Sequence, residues 1–283
     1  MSVAASPPAA RRSAAAAPPP RLASLRALLR RGLRDDRYVP LIWGGALGVF
    51  SFLIIFTWPS IEDSVGELVR SYPEGLKQAF GIEQLDTVEA YFDAEMLSLI
   101  VPLAAAFLAV RTVARAIPGA EEEAWLDTLL TTPLSRASLV AGAFLVTAAL
   151  TALVLALTAA LTLIAGLLSG TDPAAAVIGR GLANVWPLAM FFAGLATLLA
   201  GRLHSASAVT AIASGVLVAM YLIDVVGKVS DSFEPLRWAS AFKYYGSAVR
   251  DGIDPVAFIG LTLAAAALAA LGALLLERRD IVA

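Results

Sequence analysis

No cysteine occurs among the 283 residues of this chain, and histidine occurs once, at His204. The first absence excludes disulfides, thiolate metal sites and cysteine nucleophiles. The second leaves no HExxH zinc site and no histidine base beside a serine nucleophile. His204 itself lies in GRLHSAS next to Arg202, where it reads as a side chain at the headgroups. There is no GxxxxGK[ST] phosphate loop, so the chain does not bind ATP by that route. Lysine is confined to Lys77, Lys228 and Lys243, and the remaining cations are arginines. Charge of either sign is scarce, at 16% of residues against 59% hydrophobic, with a mean hydropathy of +0.77. A soluble domain carries about a quarter charged residues. This chain lacks the polar surface to cover a water-soluble globule and reads as an integral membrane protein, with no nucleic-acid partner expected.

What is present is long apolar runs. A hydrocarbon core of about 30 Å needs roughly 20 apolar residues in a helix. Six segments qualify, at about 39–58, 92–115, 137–168, 176–201, 205–227 and 255–276. The second reaches full length by including Arg111 and Arg115, whose side chains can snorkel. The expected fold is therefore an all-α membrane domain over 21–283, preceded by a disordered Ala/Pro-rich tail at 1–20.

In RLASLRALLRRGLRDDR, starting at Arg21, Leu22, Leu25, Leu28, Leu29 and Leu33 recur at helical spacing with Arg26, Arg30, Arg31 and Arg34 elsewhere on the helix. This is a basic amphipathic helix suited to the interface plane. Arginines also lie between spans 2 and 3, between spans 4 and 5, and after span 6. Between spans 1 and 2, nine acids from Glu62 to Glu95 face only Arg70 and Lys77. The positive-inside rule then places both termini in the cytoplasm, which requires an even number of spans. The segments 61–92 and 228–254 fall outside. Both are expected to hold helices at the outer interface, with Trp238, Phe242, Tyr244 and Tyr245 as belt aromatics.

Ionisable groups within spans are few. Arg180 and Asn184 share a face of the fourth span, and Asp224 lies near the outer end of the fifth. They are the candidate pathway residues, because charge inside a membrane usually marks a route or a relay. No span carries the paired carboxylates of an aspartyl protease, and no metal site is expected.

The stretch GAEEEAWLDTLLTTPLSRASL, from Gly119 to Leu139, interrupts the apolar pattern. Pro118 and Gly119 should break the exiting helix. Glu121, Glu122 and Glu123 then suit the first turn of a new helix, where acids complement the macrodipole. Trp125, Leu126, Leu129 and Leu130 form one apolar face, with Asp127 elsewhere, and Pro133 ends the element before span 3. An anionic leaflet would repel so acidic a helix, so a protein partner explains it better than the membrane surface.

These residues resemble the cytoplasmic signature of ABC-2-type permeases, in particular the bacterial ABC exporter permeases, A-G-E-E-E-x-G-T-L-[ED]-L-L-L-[AST]-x-P-[VIL]-[ST]-R. Gly119, Glu121, Glu122, Leu126, Asp127, Leu129, Leu130, Pro133, Ser135 and Arg136 match it without gaps. SYPEGLKQAFG, TVEAYFDAEM, SAFKYY and LLLERRDI are similar to further elements of that family. The chain departs from the pattern at Ala120, at Ala124-Trp125 in place of Gly-Thr, at Val88 and at Ala241.

The resemblance implies an exporter permease in the bacterial cell membrane that pairs with a second permease subunit and a separate nucleotide-binding ATPase. ATP and Mg would be held by that partner and no cofactor by this chain, which is not itself an enzyme. It further implies a cytoplasmic coupling helix built from Glu121, Glu122, Glu123, Trp125, Leu126, Asp127, Leu129, Leu130, Pro133 and Arg136. An elbow helix would contain Leu25, Leu28, Leu29, Arg30 and Arg31. The alternatives are an assembly or sensory factor using the same ATPase contact, and an ion-coupled carrier working through Arg180, Asn184 and Asp224.

Overall fold

The computed structural model describes residues 21–71, 87–122 and 136–278, and among them there are helices and turns but no strand. Helix α1 spans Arg21–Asp35. Helix α2 opens with a π turn at Pro40–Gly44 and continues over Gly45–Ser71. Helix α3 runs through Val88–Phe92, a π segment Asp93–Ile100 and Val101–Ala116. A short α4, Pro118–Glu122, follows a turn at Ile117, where the sequence places a helix break. Helices α5 (Arg136–Ser169), α6 (Ala175–Ala200) and α7 (Ala206–Val229) come next. A 3-10 turn at Glu234–Ala239, a short α8 at Ala241–Tyr245 and α9 at Pro255–Glu277 complete the described chain.

Six of these rods are long and apolar enough to cross a membrane: Pro40–Glu62, Val88–Ala120, Arg136–Ser169, Ala175–Ala200, Ala206–Val229 and Pro255–Glu277. Of the six, α6 is the most buried and α7 the least. The core forms where α3 and α6 meet, around Leu97, Val101, Val185, Leu188 and Phe192, all at most 1% exposed. Large apolar side chains on the outer faces of α2, α7 and α9, including Phe50, Leu53, Leu222 and Leu263, stay exposed. Such faces are stable against hydrocarbon, which penalises open backbone polar groups and not apolar surface.

With lipid as solvent there is no hydrophobic drive between rods, and close packing of small residues takes its place. The α6–α9 crossing is the tightest case. A Cβ added at Gly194 would lie 2.5 Å from the Ala265 carbonyl, and one at Gly201 would lie 2.6 Å from the Gly272 carbonyl. A Cβ at Gly272 would collide with the Thr197 carbonyl. The two backbones therefore touch over two helical turns. Gly44 and Gly48 serve α2 in the same way, against Val154, Leu157 and Leu161 of α5. Gly32 and Gly142 let α1 lie on the start of α5, against Val146 and Leu28 respectively. Leu28 and Leu29 are consequently half-buried, whereas Arg30 and Arg31 are exposed.

Two predictions follow from this packing. Gly272→Leu should cost about 3 kcal/mol or more, because the clash is with backbone and cannot be relieved by a rotamer; thermal unfolding in detergent checks it, with Leu271→Ala on the exposed face as the control. The second concerns Asp36, which follows α1. Burial raises its carboxyl above the ordinary 3.8, the nearby Arg115 charge lowers it, and Asp35 raises it again. A raised carboxylate binds its proton more readily folded than unfolded, so its contribution is present at low pH and is lost as pH rises through the folded pKa. Asp36→Asn should then raise the thermal midpoint at pH 7, and the gain should vanish below about pH 4.

Candidate functional site

One end of the bundle is closed by the chain between α7 and α9. Phe242, in α8, inserts into the bundle, with ring centroids 5.4 Å from Tyr221 and 6.2 Å from Phe192. Tyr245 is half-buried, and its hydroxyl donates to the Leu97 carbonyl at 3.1 Å. Burial first, and the charge of Asp93 second, push the Tyr245 hydroxyl well above the ordinary 10, which keeps it a donor. Leu97 belongs to the π segment of α3. Of the four aromatics expected at an interface belt, Trp238 and Tyr244 are exposed while Phe242 and Tyr245 point inward. The physical reason is that Phe242 has an aromatic pocket and Tyr245 a carbonyl to meet, so both gain more inside than at the surface. Trp238 instead carries Lys243 over its ring, with Nζ 3.2 Å from the centroid.

Polar side chains of three rods hold this cap. Asn184 Nδ2 donates to the Tyr245 carbonyl at 2.7 Å, and Arg180 Nη2 donates to the Val249 carbonyl at 2.5 Å. Between them on α6, Gly181 admits Leu97 and Val249, which a Cβ would meet at 2.7 and 2.8 Å. Asp93 of α3 accepts from Ser247 Oγ at 2.6 Å, and Arg250 Nε lies 3.5 Å from the same carboxylate. On α7, Asp224 is 3% exposed and holds two cations, Lys228 at 2.7 Å and Arg237 at 3.0 Å. Ser240 Oγ donates to the Met220 carbonyl at 2.7 Å and accepts from the Phe242 amide at 3.2 Å. The turn out of α8 depends on Gly246, whose φ of +58° with ψ of −154° is open to glycine alone.

A second feature is an apolar cleft of about 350 Å³ between α5, α6 and α9. Ala152, Ala156 and Ala159 form one wall, Gly179 and Ala183 a second, with Trp186 and Phe258 as aromatic flanks. The Trp186 Nε1–H donates to the Ala148 carbonyl at 3.0 Å, so the indole is fixed and presents carbon to the space. The volume falls within the range of small-molecule sites, and the lining suits an apolar occupant.

At the opposite end, Arg136 opens α5 and its Nη1 donates to the Leu276 carbonyl in the last turn of α9 at 2.9 Å. Glu121 and Glu122 end α4. Glu123, Trp125, Leu126, Asp127, Leu129, Leu130 and Pro133 lie outside the described residues, so the expected partner-facing helix is described only at its edges. Leu25 lies in α1 beside Leu28, Leu29, Arg30 and Arg31.

Among the candidate pathway residues, Arg180 and Asn184 come together under the cap, and Asp224 sits apart on α7 with its own cations. Asp93, Ser247 and Arg250 had no signal in the sequence that set them apart from other polar residues near the span ends. Tyr245 had one, in SAFKYY, which marked the motif without giving the direction of its side chain.

Six membrane-length rods among the described residues, with a bonded cap at one end, define a multi-pass membrane protein. Residues 28–276 match the family described as multidrug efflux system permease Rv1217c, C-terminal domain, and the chain belongs to that family. It is a membrane permease of an efflux system. Comparison with curated proteins gives no match.

The cap lattice gives a direct prediction. Asp224→Asn leaves Lys228 and Arg237 without their counter-charge and should cost about 2 kcal/mol. Lys228→Met should cost less, because that side chain is 43% exposed and screened by solvent. Thermal unfolding of the purified variants in detergent checks the order.

Proposed function

We propose that the chain is the transmembrane permease subunit of an ABC-2-type exporter, driven by ATP hydrolysis on a separate nucleotide-binding subunit. The observation that carries this reading is the segment 119–136. It is acidic and apolar, it joins two spans at the end of the bundle that carries α1, and it matches the ABC-2 signature in a chain without a phosphate loop of its own. Membership in an efflux permease family supports the direction of transport.

In this reading both termini are cytoplasmic, in a bacterial cell membrane, and the α8 cap is external. Glu121, Glu122, Glu123, Trp125, Leu126, Asp127, Leu129, Leu130, Pro133 and Arg136 form the helix that docks the ATPase. Helix α1 is the interfacial elbow, its arginines at the headgroups and its leucines on α5. A second permease subunit completes the path. An ATPase biases a membrane conformation only through a contact whose energy differs between states, and a short helix tied to two spans can carry that difference. The cargo is a set of apolar compounds of varied structure, in keeping with the family's description and with the carbon-lined cleft. The bonds made by Arg180, Asn184 and Asp224 to the cap and to neighbouring cations argue against an ion-coupled carrier.

The test is a tagged pull-down from detergent-solubilised native membranes, with mass spectrometry, of the wild type beside Leu129→Asp/Leu130→Asp. The expected outcome is an ATPase with a phosphate loop that co-purifies with the wild type and is lost from the variant. Stable wild-type protein that brings down no such ATPase, while other membrane complexes survive the extraction, contradicts the reading.

A further inference from the structure

We propose that the cleft between α5, α6 and α9 holds a resident anionic phospholipid, with one acyl chain along the cleft and the phosphate at Arg180. Such a lipid fills the cleft whenever cargo does not. Its binding needs no ATPase and is therefore independent of the exporter reading.

The space itself points to a chain-like occupant. Ala152, Ala156, Gly179 and Ala183 line the cleft and are exposed, so it opens to the outside of the bundle, where the solvent of a membrane span is acyl chain. From Gly179 to Trp186 the cleft follows α6 for about 10 Å, at about 1.5 Å of rise per residue. Gly179 differs from the other glycines of that helix. A Cβ at Gly181 or Gly194 would collide with neighbours, whereas one at Gly179 meets nothing within 4 Å. Glycine inside a helix is less stable than alanine, and no close approach within the described chain requires it here. An occupant lying against the α6 backbone accounts for it.

Beside that space lies a cation without a counter-charge. Arg180 follows Gly179 in the chain and reaches the Val249 carbonyl just ahead of α9, so it borders the cleft at the cap end. That carbonyl is its one partner among the described residues: Nε is buried and unbonded, and no carboxylate pairs with the guanidinium. Lys228, Arg237 and Arg250, at the same end of the bundle, each have an acid in Asp224 or Asp93. Charge within a span is stable when it is paired or reaches the headgroups. Arg180 lies about 8 Å inside the start of α6 at Ala175, a depth from which an arginine reaches lipid phosphate. Its planar fork of N–H donors fits the phosphate oxygens. A neutral apolar molecule would leave the arginine unpaired, and a zwitterionic head would bring a second cation against it. An anionic phospholipid satisfies the carbon-lined space and the charge together.

The experiment uses the full chain in neutral detergent, with dioleoyl phosphatidylglycerol, dioleoyl phosphatidylcholine and glycerol phosphate as probes. Retained lipid is read by native mass spectrometry. Contact at the cleft is read by quenching of Trp186 with acyl-brominated lipid, taken as the difference from Trp186→Phe. The wild type should retain one phosphatidylglycerol about tenfold more tightly than phosphatidylcholine, the worth of one charge-assisted bond, and Trp186 should be quenched. Arg180→Gln should remove the preference, and Arg180→Lys, which keeps the charge without the planar fork, should retain part of it. Gly179→Leu fills open space and should lose both lipids, with no fall in the thermal midpoint of the lipid-free protein. Equal retention of the two lipids by the wild type, or an unchanged preference in Arg180→Gln, overturns the proposal by removing the phosphate from Arg180. Lipid retained by Gly179→Leu, or displaced by glycerol phosphate, overturns it by removing the acyl chain from the cleft. Unquenched Trp186 overturns it by showing the cleft closed by protein, whether a second copy of the chain or another partner. Where a variant proves unstable, the wild type decides alone: stronger quenching by brominated phosphatidylglycerol than by brominated phosphatidylcholine supports the proposal, and equal quenching overturns it.

Discussion

The backbone contact between α6 and α9 is the constraint on which the rest of the structure depends. In hydrocarbon, apolar side chains gain nothing by meeting one another in preference to lipid, so two rods stay together only where their surfaces fit closely. Gly194, Gly201 and Gly272 provide that fit by letting the two backbones touch at three points. Because α6 is fixed there, its opposite end reaches the cap at a set height, where Arg180 and Asn184 meet two carbonyls. Because α9 is fixed there too, its last turn lies beside the first residue of α5. The apolar cleft is a by-product of the same arrangement, opening where α5 meets the pair through alanines and a glycine that cannot fill the space.

The cap follows from a second constraint, the cost of an unpaired polar group at low dielectric. The chain between α7 and α9 turns at Gly246 and Gly252, both at positive φ, and so exposes carbonyls that no regular helix satisfies. Asn184 and Arg180 donate to two of these carbonyls from α6, Asp93 accepts from the Ser247 hydroxyl, and Asp224 holds Arg237 of the preceding turn. Asp93, Arg180, Asn184 and Asp224 thus all meet the irregular backbone at this end of the bundle. In the proposed orientation this lattice is the external closure of the export path, and the segment 119–136 is the cytoplasmic input. The α6–α9 pair lies between the two.

Much of the architecture was legible in the sequence, for reasons of physical scale. A span must present about 20 apolar residues in register, a signal that single substitutions do not hide. The six runs and the interruption at Pro118 were therefore readable. The amphipathic stripe of α1 was readable for the same reason, since Leu25, Leu28 and Leu29 repeat at helical spacing. The cap lattice was not. Asp93 lies 154 positions from Ser247, and nothing local links an acid at the start of one span to a loop before another. The inward turn of Phe242 and Tyr245 was lost in a cluster of four aromatics that composition alone assigns to an interface. The crossing glycines were hidden by abundance, because in a chain rich in alanine and glycine the spacing of Gly194, Gly201 and Gly272 carries little contrast. The π segment at Asp93–Ile100 has no sequence signature and was visible only in the backbone.

The most direct test of the account is whether α6 and α9 move as one body. The cysteine-free chain allows paired spin labels at Leu199→Cys and Leu274→Cys, and at Phe50→Cys and Leu274→Cys, with distances measured by electron–electron resonance in the complex, nucleotide-free and ATP-trapped. The account predicts that the Leu199–Leu274 distance stays the same in both states while the Phe50–Leu274 distance changes. A Leu199–Leu274 distance that shifts as much as the other would contradict it, because the two rods would then part at the crossing that is said to hold them.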